Sequence, residues 1–193
     1  MTDTYVLVHG AWPTGAEMEA TAQHLRQAGH TVHCPTLAGN REGDDRSRTG
    51  LQDAIDSLVQ FIESKDLREV RLVGHSYGGM VISGAAQQVA ARLKRLVYVN
   101  AFVPLPGQCL NDMVPPHYVQ LFDAVAAAQN NAVMLPFPIW REAFINDADL
   151  ALATSAYERL NPHPYRTFTD KIGLEQPPDA LQVSAPIKVR GDV

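Results

Sequence analysis

The stretch Gly74-His75-Ser76-Tyr77-Gly78-Gly79 lies between an apolar run, 70–73, and a small-residue helical pattern, 80–89. In that setting Gly-x-Ser-x-Gly predicts a sharp strand-to-helix turn that presents a serine hydroxyl at the carboxyl edge of a sheet. Gly74 and Gly78 permit close backbone approach where a Cβ would clash, because such a turn is strained. Ser76 is the candidate nucleophile. The Tyr77 N–H, at the positive end of the new helix, would point to where an oxyanion forms. The alternative is a tight turn with a bystander serine.

The rest of the chain builds around that turn. Its 193 residues suit one domain with a full core. The run 4–8 is continuously apolar, as in a strand buried on both faces, and ends in His9-Gly10-Ala11-Trp12. Thr14 with Glu17 reads as a capping box opening a helix that Gly29 stops. Residues 31–34 form the next strand, and 39–48 a polar surface loop. Thr49 with Gln52 reads as a second capping box. Leu51, Ile55, Leu58, Val59 and Ile62 then fall on one helical face. With strands at 70–73 and 96–99, the alternation predicts an α/β fold: a parallel sheet with helices on both faces. His9, Ser76 and Asn100 all sit at carboxyl ends of strands, where such sheets bind ligands.

From 104 to 164 the pattern changes. Pro104, Pro106, Pro115, Pro116, Pro136 and Pro138 cut the chain into short pieces, with helices expected over 117–128, 139–145 and 147–160 and no convincing strand. This reads as a helical cap inserted after the strand that follows the nucleophile helix. One more strand, 185–192, ends in Asp192.

Charge and composition exclude several classes. The net charge of −5, with no basic stripe, argues against a nucleic-acid partner. No apolar run approaches ~18 residues, so no membrane partner is expected. Cys34 and Cys109 follow neither metal nor disulfide spacing, which points to reduced thiols and a cytoplasmic location. No metal and no cofactor is implied.

The motifs together resemble the α/β-hydrolase superfamily, and within it the small esterases that include plant methyl-ester esterases, hydroxynitrile lyases and bacterial relatives. The resemblance is carried by Val6-Leu7-Val8-His9-Gly10-Ala11-Trp12, Pro35-Thr36-Leu37-Ala38-Gly39, the elbow, and Leu96-Val97-Tyr98-Val99-Asn100-Ala101-Phe102-Val103-Pro104. It is close through about residue 112, looser through the cap and faint after about Pro178. It implies a cofactor-free serine hydrolase with Ser76 as nucleophile and the N–H groups of Ala11 and Tyr77 as oxyanion hole. The order of the triad in this fold is Ser, acid, His. Asn100 occupies one acid position but cannot carry the charge, which leaves Asp192.

The base is the difficulty. All seven histidines precede Asp192, whereas relatives place theirs after the acid, beyond a further helix and strand. Cap residues His117 and His163 are the remaining candidates to reach the site. The resemblance therefore leaves three readings: a truncated esterase, a slow variant with a displaced base, or a ligand-binding member of the fold. A lyase acting on cyanohydrins ranks last, since Ala11 stands where lyases tend to have a hydroxyl. A sheet shortened at its C-terminal edge would expose unpaired backbone groups, so marginal stability or a covering homodimer is expected. The pocket is expected to be apolar, to take a small-molecule ester, and to draw on His9, Trp12, His75, Phe122 and Trp140. Met113, Tyr118, Leu121, Phe137 and Phe144 are further aromatic and apolar cap residues.

Overall fold

The computed structural model describes residues 2–181 and 184–189, with backbone only for the last segment. Five strands form one sheet: β1 (Thr4–Val8), β2 (Thr31–His33), β3 (Val70–Ser76), β4 (Leu93–Ala101) and, last in the chain, the segment Ser184–Val189. All four neighbouring pairs are parallel. The spatial order is β2, β1, β3, β4, then Ser184–Val189, so that β2 and Ser184–Val189 are the two edge strands among the described residues.

Period-two alternation explains how β1 serves two layers. Val6 and Val8 face the main core, while Leu7 packs on the other side with Ala22 and Val32. Ala22 belongs to α1 (Glu19–Gln27), which follows a short 3₁₀ turn, Gly15–Met18. The expected Thr14–Glu17 capping box is present at that turn. On the main face lies α2 (Leu51–Ser64), whose stripe Leu51, Ile55, Leu58, Val59 and Ile62 is buried as its spacing required. It packs on α3 (Gly78–Val89).

The start of α2 differs from expectation. Thr49 is not its cap; the Thr49 hydroxyl donates to the Asp45 carbonyl instead. Gly50 is the N-cap, the Asp53 carboxylate accepts from the Gly50 N–H at 2.8 Å, and Asp170 accepts from the Leu51 N–H at 3.1 Å. Two carboxylates complement the helix's positive end, one from 119 residues away.

Strand β4 begins three residues before the apolar run because Leu93 points inward while Lys94 is exposed and Arg95 half-buried. Residues 110–169 supply α4 (Pro116–Ala128), α5 (Phe137–Phe144), α6 (Leu150–Tyr157) and α7 (Arg166–Thr169). The third of these is shorter than the expected 147–160, since Asp149 caps it by accepting from the Leu152 N–H at 2.8 Å. The segment also holds strands that the sequence did not suggest: β5 (Ala132–Val133) and β6 (His163–Pro164), an antiparallel pair of two residues each. The Ser184–Val189 strand is β7. Asp192 lies outside the described residues. Among the described residues no helix is long and apolar enough to cross a membrane, and no cluster of His, Cys, Asp or Glu could hold a metal ion.

Candidate active site

Ser76 ends β3 with φ at 53°, and Tyr77 turns directly into the helical region before α3 begins. A non-glycine residue at positive φ costs roughly 1–3 kcal/mol and persists only where its surroundings impose it. Here they do. The Phe102 N–H donates to the Ser76 carbonyl at 3.1 Å. A Cβ on Gly79 would stand 2.1 Å from the Phe102 carbonyl oxygen, so only glycine lets α3 start this close to the end of β4. Ser83 donates to the Gly79 carbonyl at 2.7 Å and lies 2.9 Å from the Tyr98 hydroxyl, joining the first turn of α3 to β4. Burial pushes the Tyr98 phenol up to about 12, so it stays a neutral donor.

The register of β1 on β3 pairs Val8 with Gly74, which brings the loop after β1 beside the elbow. Trp12 in that loop holds φ at 73°. Among the described residues, no acceptor engages the N–H of Ala11 or of Tyr77.

Both loops open on a cavity of about 280 Å³. Ser76, Ala11, Trp12 and Tyr77 line it from the two loops. Phe122, Met113, Tyr118 and Phe144 come from the 104–164 segment. Phe102, Leu110, Val114, Pro115, Ala143 and Phe168 complete the wall. The sequence offered a cue for Phe102, two residues beyond Asn100 at a strand's carboxyl end. It offered none for Phe168, which lies outside the expected cap. No charged side chain and no histidine lines this cavity among the described residues.

Several expected pocket residues lie elsewhere. His9 is fully buried behind the loop: its Nε2 accepts from the Leu37 N–H at 3.1 Å, so Nδ1 carries the proton and donates to the Gly10 carbonyl at 2.8 Å. Burial pushes its pKa down to about 4, and the ring is neutral at pH 7. His75 is exposed and its ring lies over Gly10, where a Cβ would come within 3.2 Å of Nδ1. Trp140 is buried against Tyr157, with ring centroids 5.5 Å apart, and supports the helices rather than the cavity. Neither His117 nor His163 lines the cavity. His117 is exposed and stacks beside Tyr118, and His163 is completely buried. Asn100, exposed at the end of β4, holds φ at 43°.

Comparison with known proteins agrees with this geometry. A model of the alpha/beta hydrolase family matches residues 5–189. A carbendazim hydrolyzing esterase of Nocardioides sp. (strain SG-4G) is 39% identical over 144 residues, covering 69% of this chain and 60% of that protein. Methyl jasmonate esterase 1 of Vitis vinifera is 32% identical over 105 residues, 53% of this chain and 40% of that one. The chain thus spans 60% or less of these curated relatives. Among solved structures, an extracellular alpha/beta-hydrolase from a Paenibacillus species, described as homologous in structure and function to tobacco Salicylic Acid Binding Protein 2, superposes with a TM-score of 0.91 at 37% identity, over 96% of this chain and 76% of that one. With nearly its whole length matched by the family model, the chain belongs to the alpha/beta hydrolase family.

Proposed function

We propose that this is the site of a serine hydrolase that cleaves a small, largely apolar carboxylic ester through an acyl-enzyme on Ser76. The observation that carries the reading is the strained Ser76 backbone, which sets its side chain in the wall of an apolar cavity shared with Ala11 and Tyr77. In the proposed reaction, Ser76 Oγ attacks the ester carbonyl. The carbonyl oxygen takes the negative charge and is met by the Ala11 and Tyr77 N–H groups. One such donor is worth roughly 3–4 kcal/mol in the transition state. The alcohol leaves with the proton from Ser76, and water then releases the acid from the acyl-serine. Segment 104–164 acts as the cap that closes the apolar side of the pocket. Asp192 is the proposed acid, on the resemblance alone.

Proton transfer requires a base that reaches Ser76 from outside the described wall, since no histidine lines it. That same observation favours a second reading, a ligand-binding member of the fold. A fluorophosphonate probe and 4-nitrophenyl acetate separate the two. The hydrolase reading expects a single adduct and measurable turnover, both lost in Ser76→Ala. Equal background in both proteins would leave only the binding reading.

A further inference from the structure

Three hydrogen bonds converge on Trp12 from residues more than 100 positions away. Its indole N–H donates to the Val133 carbonyl at 2.8 Å. Its backbone N–H donates to His163 Nδ1 at 3.4 Å, and its carbonyl accepts from the Asn161 N–H at 3.0 Å. Val133 and His163 are register partners in the β5–β6 ribbon. One small structure therefore grips both the side chain and the backbone of a residue held at positive φ, next to Ala11.

The state of the His163 ring follows from its partners. Nε2 lies 2.9 Å from Thr167 Oγ1, and Thr167 gives its one hydroxyl hydrogen to the Pro164 carbonyl at 2.7 Å. The threonine oxygen can then only accept, so Nε2 carries the proton. Nδ1 is left as an acceptor, shared between the Trp12 N–H and the Asn40 side-chain amide at 3.3 Å. The ring stacks on Phe168 with centroids 4.9 Å apart and meets the Tyr77 ring edge-on at 4.7 Å. A single imidazole thus touches the backbone beyond Ala11 and the side chain of Tyr77, yet is absent from the cavity wall.

We propose that His163 is a positioning residue, which in its neutral Nε2–H form holds the Ala11–Trp12 loop against the Ser76 elbow. The assignment of what that loop does rests on the hydrolase reading above; the grip itself does not. A leucine fills much of the ring's space without an acceptor, whereas asparagine restores one near the Nδ1 position.

The decisive measurement is amide hydrogen exchange by NMR, with the Leu72 amide as reference for global opening. In His163→Leu the Trp12 amide should exchange at least about tenfold faster relative to Leu72, and His163→Asn should recover most of that protection. The phosphonylation rate constant at Ser76 should fall in His163→Leu and recover in His163→Asn, with the probe's binding constant little changed. Unchanged Trp12 exchange in His163→Leu, or an Asn variant as loose as the Leu variant, overturns the proposal. If neither variant folds, the ring ¹⁵N spectrum of the unmodified protein decides: an Nδ1–H or charged ring refutes the assignment, and an Nε2–H ring supports it. A wild-type protein that never reacts with the probe would defeat the hydrolase reading, while exchange at Trp12 would still judge the grip.

Discussion

Gly78 sits so tightly under the first loop that a Cβ there would come within 2.8 Å of the His9 carbonyl oxygen. The same Cβ would meet the Val8 carbonyl at the same distance. Both obstacles are backbone, so neither can rotate away. Gly78→Ala must therefore push α3 from β1, parting the elbow from the loop that carries Ala11. Overpacking of this kind costs typically ~1–3 kcal/mol. Urea unfolding should show that loss, and phosphonylation at Ser76 should slow as well. Gly173→Ala is the control, because nothing lies within 4 Å of a Cβ there. Equal stability of the two variants would contradict the close approach.

The N-terminus of α2 supports a second prediction. Asp170 Oδ2 accepts from the Leu51 N–H, whereas the Thr49 side chain faces the Asp45 carbonyl. Replacing an N-terminal capping side chain costs about 1 kcal/mol. Asp170→Ala should lose about that much in chemical denaturation, and Thr49→Ala about half or less, as for an exposed neutral hydrogen bond. A larger loss in Thr49→Ala would restore the sequence reading of that helix start.

Of those two sites, the elbow was legible in the sequence and the start of α2 was not. Gly74, Ser76 and Gly78 could be read because strand, turn and helix are contiguous, and the requirement for a small residue is local. The helical stripe of α2 could be read because its period survives any tertiary detail. Asp170 could not be read as a cap, since its partner lies 119 residues away and pairing at that range leaves no spacing to detect. Thr49 and Gln52 fit a local capping pattern, and a distant carboxylate displaced it. His9 and His163 look alike in sequence to any pocket histidine. Only their partners, a Leu37 amide and the Thr167 hydroxyl, show that each ring is spent on holding backbone and side chains in place. β5 and β6 are two residues each, too short for any periodicity to register.

The two buried histidines set a pH dependence. Unfolded, His9 takes up a proton near 6.5; folded, it does so only near pH 4. His163 is shifted in the same direction, chiefly by burial and then by His9 and Arg46. Between those values the unfolded chain binds more protons, so stability rises with pH. It is complete above about pH 6.5 and falls as pH drops toward 4, by about 3 kcal/mol for His9 alone at the lower limit. The urea midpoint should therefore decline steadily from pH 7.5 to 4.5, and less steeply in a His9→Gln variant. A flat midpoint over that range would show that these rings are not buried neutral.

The cavity wall predicts ligand preference without reference to turnover. It presents Trp12, Tyr77, Tyr118, Phe102, Phe122, Phe144 and Phe168, and no charged side chain among the described residues. An aromatic ester can bury its ring there, with apolar area contributing ~25 cal/mol per Å². A carboxylate on that ring would lose its water and gain no countercharge, which costs at least a few kcal/mol even after relaxation. Each 1.4 kcal/mol is a factor of ten in affinity. A neutral phenyl ester should therefore bind Ser76→Ala protein at least ~10-fold more tightly than its ring-carboxylated analogue, measured by quenching of tryptophan fluorescence with Trp12 in the wall. Placing a cation in the wall with Val114→Lys should narrow or reverse the preference. Equal binding of the two esters to the unaltered wall would mean that the ligand sits outside the cavity, and the apolar-substrate reading would fall with it.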